Sequence, residues 1–523
     1  MIGSSTVALL LLSTPVLYAI QLWIDFRRAV KSVGNLPGFR HLLAQSSILA
    51  NVIPFFVPGI ATGRLQAWKA KYRDFEYFGA DIFTNVSIWP RTKIMFNVAD
   101  AAAIKEITAH RARWIKPIEQ YALVLQFGGN IVATEGDEWK KHRKIANPAF
   151  SEPNNRLVWD EAVRITMDMI DNVWMNKEII EMDHAVDITL SIALLIIGSA
   201  GFGRMISFAE DLKVPPGYHM SFKDALHIVS QDMIIPTVLP AWMLNLTKRL
   251  RNVRTAVQDL SKYMQEMIDE RRSAEKKPER HDLFSSLLDA NMDEAEGQGS
   301  RLADSELIGN IFIFLLAGHE TTAHTLCFTL GLLALHPDQQ EILYQHIMSV
   351  LPGERLPEYE DMGALSYVTA VFHETLRLFP PVATIPKKSA EDTTLVTTNR
   401  AGEKIVVPVP KGAGITLHTP GLHYNPKYWK DPSEFRPQRF MEDWPRDAFL
   451  PFSGGARSCI GRRFSETEAT AILAVLLARY RVEVKDEPRF AHETFEQRKA
   501  RVLGAKAGIT LTPVRVPLVF KRR

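Results

Sequence analysis

Ten consecutive residues, Phe452-Ser-Gly-Gly-Ala-Arg-Ser-Cys459-Ile-Gly461, constrain this chain more than anything else in its 523 residues. They read F-x-x-G-x-R-x-C-x-G and lead directly into an apolar helical run over 463–480. Cys459 is one of only two cysteines, so a disulfide framework and a four-cysteine metal site are both excluded. The other, Cys327, lies in an apolar helical run and reads as core. A solitary cysteine is ordinarily a small buried hydrophobe, but the surroundings of Cys459 are unusual. Gly454 and Gly455 let the backbone turn tightly and approach a large flat group. Phe452 can pack on such a group, and Arg457 can pair with an anion and favour the thiolate. Such a thiolate is a nucleophile or a metal ligand. Among metal groups, haem iron held by one axial thiolate suits these residues best.

Three further segments carry chemistry. The sequence predicts a long helix over Asp304–Leu335 with Asp304 as N-cap, and inside it stands Ala317-Gly318-His319-Glu320-Thr321-Thr322. Polar side chains in so apolar a helix are costly without partners or a task. The Thr321 hydroxyl can bond the Ala317 carbonyl and bend the helix, with Gly318 lowering the resistance. A turn widened in this way makes room for a small molecule, and Glu320 and Thr321 can relay protons to it. Glu374 and Arg377 share a helix face at i and i+3, where a plain surface ion pair is the ordinary reading. Trp139 and Arg143, four apart, also share a helix face and can hold one acidic group.

The ten residues around Cys459 resemble the haem-binding signature of the cytochrome P-450 (haem-thiolate) monooxygenases at every fixed position. The phrasing is most like fungal microsomal members, and the other segments follow in the family's order. The resemblance implies a mainly α fold with small β-sheets, the cytochrome P-450 fold, preceded by one N-terminal transmembrane helix. It implies haem b with Cys459 as axial thiolate, and Arg457, Trp139, Arg143, Phe452 and Gly455 as cofactor-binding residues. It makes Thr321 the hydroxyl near dioxygen and Glu320 its acidic partner. Glu374, Arg377 and Arg439 become a buried structural triad. One position departs: relatives usually have arginine where this chain has Lys387, and lysine is a flexible point charge without the planar guanidinium fork.

No linker or repeat divides the chain, which is expected to comprise an anchor (1–26), a basic linker with a proline hinge (27–38) and a haem-thiolate monooxygenase domain (39–523). Residues 7–24 are apolar except for Ser13, Thr14 and Gln21, and as a helix they span ~27 Å against the ~30 Å of a bilayer core. Arg27, Arg28 and Lys31 follow and no basic residue precedes, so the bulk of the chain is expected on the cytosolic side of the endoplasmic reticulum membrane, single-pass. The charged leading segment of a cleaved signal is missing, and the sequons at Asn85 and Asn245 are expected to stay unused. Residues 50–59 read as core or as a patch on the membrane, 247–272 as helix, 273–281 and 293–301 as exposed loops, and 393–409 as strands with a turn at 399–402.

A net charge of +3 gives no support for nucleic-acid binding. No G-x-G-x-x-G follows a strand, so electrons must come from elsewhere; the resemblance names a membrane-bound NADPH-cytochrome P-450 reductase. Lys140, Lys141, Lys144 and Arg462-Arg463 are candidates for a basic docking face. The expected activity is insertion of one atom of dioxygen into a hydrophobic small molecule, with a terpenoid or other secondary metabolite as the substrate class. Substrate contacts are expected from 116–129, 220–244 and 381–385. The alternatives are a haem-thiolate isomerase or dehydratase needing no reductase, and a non-enzymatic membrane-tethered binding protein.

Overall fold

The long helix predicted from the sequence organises the architecture. In this computed structural model, which describes residues 4–523 apart from 46, 48, 51–52, 64, 204–207, 209–213, 274–281, 297–300 and 400, seven helices frame the core. They are α1 (Ser4–Ser32), α2 (Gly136–Ala146), α3 (Glu152–Asp168), α4 (Val186–Ile196), α5 (Asp304–Leu335), α6 (Ser366–Leu378) and α7 (Arg462–Arg479). Helix α5 is apolar on every side because it is packed on every side: α4, α6 and α7 all touch it. It is long and apolar enough to cross a membrane, yet 78% of its apolar window is buried within the protein, which makes it a core helix. Its N-cap is Ala303, one residue before the predicted Asp304. Asp304 instead pairs with Arg272 at 2.7 Å, and the Ala303 N–H is taken up by the Glu306 carboxylate at 2.8 Å.

The main sheet has six strands, β1 (Arg40–Leu43), β2 (Ile82–Trp89), β3 (Lys93–Val98), β4 (Trp114–Ile115), β5 (Thr384–Ser389) and β6 (Gly414–His418), in the order β1-β2-β3-β6-β5-β4. The β4–β5 pairing sets Ile115 opposite Lys388, which brings Lys116 beside Lys387 although the two are far apart in sequence. A short hairpin, β7 (Ala505–Ala507) with β8 (Leu511–Pro513), folds against α5 and is tied to the Pro381 carbonyl by the Leu511 N–H at 2.8 Å.

The helix expected over 247–272 is Lys248–Ser273, and 393–409 forms the hairpin Thr393–Thr398 with Lys404–Val409. Residues 293–296, expected in a loop, end the helix Leu283–Glu296. Of the other expected loops and turns, 274–281, 297–300 and 400 lie outside the described residues, as do 51 and 52 of the apolar stretch 50–59. Helix α1 continues past the apolar run through Arg27, Arg28 and Lys31. Its end is docked, with Phe26 and, just past the helix, Val33 buried, whereas Val16, Leu17, Ile20, Trp23 and Ile24 are exposed.

Candidate functional site

A cavity of about 380 Å³ lies between the Cys459 loop and the middle of α5. Cys459, Phe452 and Ile460 form one wall; Ala317, Gly318, Thr321 and Thr325 form the other. The loop turns as its sequence requires. Gly455 has φ +65°, and a Cβ there would come within 2.1 Å of the Thr108 carbonyl oxygen, so only glycine fits. The Cys459 N–H donates to the Phe452 carbonyl at 2.8 Å and closes the loop. Cys459 and Ala317 are exposed deep inside the molecule. What they expose is cavity wall, since protein surrounds the Cys459 sulfur and its burial pushes the thiol up. The Gly461 N–H and the Arg143 and Arg462 guanidinium groups pull it back toward thiolate.

Three cations converge on one end of the cavity: Lys116, Lys387 and Arg457. Arg457 donates from Nη2 to the Thr134 carbonyl and to Glu135, both at 2.9 Å, and its guanidinium lies 4.4 Å from the Trp139 ring centre. Its Nε is buried with no hydrogen-bond partner among the described residues. Lys116 donates from Nζ to the Val132 carbonyl and sits 3.8 Å over the Tyr121 ring. Burial, helped by the Arg457 and Lys387 charges, pushes its ammonium down to about 7. Lys387 is also buried and pushed down for the same reason. Only one carboxylate, Glu135, acts against the three charges in this set. Trp139 and Arg143 lie on α2, where the Arg143 Nη1 donates to the Ser458 carbonyl at 3.1 Å and so braces the Cys459 loop.

On α5 the Thr321 hydroxyl donates to the Ala317 carbonyl at 2.8 Å, as expected, but the helix stays α throughout, without a widened turn. Thr325 repeats the bond to the Thr321 carbonyl at 2.8 Å. Thr321 lines the cavity and Glu320 does not. Successive helix residues point about 100° apart, and the Glu320 carboxyl turns instead toward Thr510 in the β7–β8 turn. Burial pushes it up to about 7.

Behind the Cys459 loop, the triad is closed. Glu374 receives Arg377 at 2.7 and 2.9 Å, Arg439 at 3.1 Å and the Arg436 N–H at 2.9 Å. The remaining Arg377 donors go to the carbonyls of His423, Pro432 and Glu434. Of the stretches expected to meet substrate, 116–129 contributes Lys116 and Tyr121, and 381–385 contributes Pro381, Val382 and Ile385; no residue of 220–244 lines the cavity. The expected docking lysine Lys141 turns inward, bonding Glu306 at 2.6 and 2.9 Å. Sequence reading gave Lys116 no role with the cations. Its only local sign is a lysine between an apolar pair and a proline; its partners come from β5 and the Cys459 loop.

Whether haem suits this site can be judged from the donors alone. A single sulfur faces an apolar slot, and one end of the slot gathers three cations, one with an orphaned buried N–H. Such a set matches a planar apolar group carrying a thiolate-binding metal and two carboxylates along one edge. The residues fit haem.

A cytochrome P450 family profile matches residues 50–503. Cytochrome P450 monooxygenase 124 of Postia placenta is 57% identical, covering 98% of this chain and 99% of that protein. Cytochrome P450 monooxygenase ORF6 of Penicillium roqueforti is 31% identical over 87% of this chain and 84% of its own. The crystal structure of the cytochrome P450DA heme domain superposes with a TM-score of 0.72 at 22% identity, covering 88% of this chain and 94% of that one, and shows the shared fold. The chain therefore belongs to the cytochrome P450 family, oxidoreductases of the monooxygenase kind that use haem with a cysteine thiolate as axial ligand.

Proposed function

We propose that this chain is a membrane-anchored monooxygenase that hydroxylates an uncharged hydrophobic small molecule, a terpenoid or other secondary metabolite. Its electrons come from a separate NADPH-cytochrome P-450 reductase. The observation that carries the reading is one cavity with the Cys459 thiol on one wall and the Thr321 hydroxyl on the other. Bound between them, haem supplies the dioxygen-activating chemistry that no side chain of the cavity possesses. Cys459 is the axial ligand. Arg457, Lys116 and Lys387 neutralise the two propionates, with Trp139 stacking on Arg457 and Arg143 holding the ligand loop. Thr321 holds a hydroxyl proton at the cavity wall and Glu320 supplies protons behind it. The remaining lining is largely apolar, including Phe314, Ile197, Val382 and Ile385, and leaves no unspent charge to recognise an ionic substrate.

The exposed apolar side chains Val16, Leu17, Ile20, Trp23 and Ile24 of α1, followed by exposed Arg27, Arg28 and Lys31, support a single-pass anchor with the catalytic domain on the cytosolic face of the endoplasmic reticulum.

The reduced, carbon-monoxide-bound absorbance spectrum tests the ligand. Wild type is expected to show the red-shifted thiolate band and Cys459→Ala to lose it; its absence from wild type overturns the reading. With reductase and NADPH, Thr321→Ala is expected to consume dioxygen while releasing a larger share as peroxide. An unchanged share removes Thr321 from proton delivery. Burial raises the Glu320 carboxyl to about 7, so the protonated donor is present below that pH and is lost above it. The peroxide share of wild type should therefore climb as pH rises through about 7, and Glu320→Gln should flatten that rise.

A further inference from the structure

Glu320 has its back to the cavity, which raises the question of where its protons come from. Its Oε2 is buried and completes no hydrogen bond among the described residues. The hydrogen-bonding group it faces is the Thr510 hydroxyl, at the tip of the hairpin that packs on α5. Thr510 is itself buried and bonds His324 Nδ1 at 3.1 Å. His324 lies one helical turn beyond Glu320 on the same face of α5. It is buried and pushed down to about 3, so it is neutral, with one ring nitrogen free to accept and the other to donate.

Beyond His324 the surroundings open toward solvent. His184, just before α4, and Lys506, on β7, both act on it electrostatically. His184 is half-buried and Lys506 is exposed. The Val516 N–H donates to His184 Nδ1 at 3.2 Å, which leaves the His184 hydrogen on Nε2 when the ring is neutral. His319, on α5, completes the titratable groups around His324; its Nδ1 is spent on the Leu315 carbonyl at 2.7 Å.

We propose that Thr510 and His324 form the proton inlet of Glu320, running through the protein from the His184 side and separate from the substrate cavity. This rests on the reading that Glu320 delivers protons to Thr321. In one transfer, the Glu320 carboxylate takes the Thr510 hydroxyl proton, Thr510 Oγ1 takes the proton from His324 Nδ1, and His324 gains one at Nε2. One proton enters and one arrives; no electron moves, and the His324 ring and the Thr510 hydroxyl reorient before the next transfer. Thr510 and His324 act through Glu320 and are positioning residues.

The alternative is that both polar groups only satisfy each other in the packing of hairpin against helix. The two roles separate in the holoenzyme with reductase and NADPH and without added substrate, read as the share of consumed dioxygen released as peroxide and as the solvent isotope effect on NADPH oxidation. Haem content is held equal by the carbon monoxide spectrum. Thr510→Val keeps the shape and removes the hydroxyl; it is expected to slow the proton-dependent step about tenfold, short of the ~100-fold loss expected of Glu320→Gln, because water partly replaces a relay member. The solvent isotope effect should grow, Thr510→Ser should restore both values, and His324→Phe combined with Thr510→Val should be no worse than either alone.

A second readout needs no turnover. The infrared carbonyl band of the protonated Glu320 carboxyl, assigned by its loss in Glu320→Gln, should titrate at higher pH in Thr510→Val, since Thr510 holds that carboxyl down. Wild-type peroxide share and isotope effect in Thr510→Val, with Glu320→Gln impaired, overturn the inlet and leave the role of Glu320 intact. Wild-type behaviour in Glu320→Gln overturns the role of Glu320 itself.

Discussion

Glu374 binds two guanidinium groups in a place water does not reach: Glu374 and Arg377 are wholly buried and Arg439 nearly so. Removing a buried pair's charge partner costs about 3–5 kcal/mol, because the remaining charge is left uncompensated. Here two would be left, so Glu374→Ala is expected to lower thermal stability by at least that range and to reduce haem content. A variant with wild-type melting temperature would make the triad dispensable. The Glu374–Arg377 pair was legible as two neighbours on one helix face, whereas its burial and its third member, Arg439, came only through the family resemblance. The role of Lys116 was not legible, for the opposite reason. Its significance is a charge beside Lys387 and Arg457, and no local pattern encodes a meeting of three distant segments. Glu320 falls between these cases: its identity as a buried acid was legible, while its direction depends on a hairpin near the other end of the chain.

At the scale of the element, α5 is positioned by close backbone approach at its first turns. Gly309 allows the loop before α2 to lie directly on the helix: a Cβ there would come within 2.4 Å of the Gly129 carbonyl oxygen. Gly128, with φ +127°, would meet the Ser305 carbonyl at 2.0 Å if it carried a Cβ. Asn310 then fixes the loop by accepting the Ile131 N–H at 3.0 Å. That same loop supplies the Val132 and Thr134 carbonyls that hold Lys116 and Arg457. Gly309→Ala is therefore expected to cost about 1–3 kcal/mol through overpacking and, by displacing the loop, to weaken retention of haem. Gly331→Ala, on the same helix and away from the cavity, is the matched comparison, since its Cβ would meet only side-chain atoms, of Leu503, Val516 and Val502, at 3.2 Å or more. Unfolding curves and the rate of haem transfer to apomyoglobin measure both effects; equal behaviour of the two variants would refute the positioning argument. Helix α5 was readable from its length and apolarity. Its contact with the loop was not, because a glycine's neighbour is set by tertiary packing and leaves no local signature.

For the whole molecule, the question is how a folded monooxygenase domain and an apolar N-terminal helix share one surface. The end of α1 belongs to the domain, with Phe26 and, just past the helix, Val33 buried, and the exposed Tyr18 hydroxyl reaches the domain from the apolar run, donating to the Pro90 carbonyl at 2.7 Å. The domain also exposes apolar side chains elsewhere, notably Ile234, Val238, Trp242 and Leu246. Ile234, Val238 and Trp242 come from the stretch expected to meet substrate and Leu246 follows it; since none of the four lines the cavity, their exposure suits contact with lipid better than contact with a bound molecule. Under the proposed anchoring, two signals would act on membrane binding, one spanning and one lying on the surface, and they would differ in strength, since only a spanning helix inserts effectively irreversibly. A chain beginning at Asp25 keeps Phe26 and Val33 in place, so it is expected to fold, to take up haem, and to remain on microsomal membranes in a form that alkaline carbonate releases, whereas the full chain resists carbonate. Adding Val238→Glu and Trp242→Glu to the shortened chain should then free it into the soluble fraction. If the shortened chain is soluble without those changes, the second patch makes no membrane contact; if the full chain is itself released by carbonate, α1 does not span.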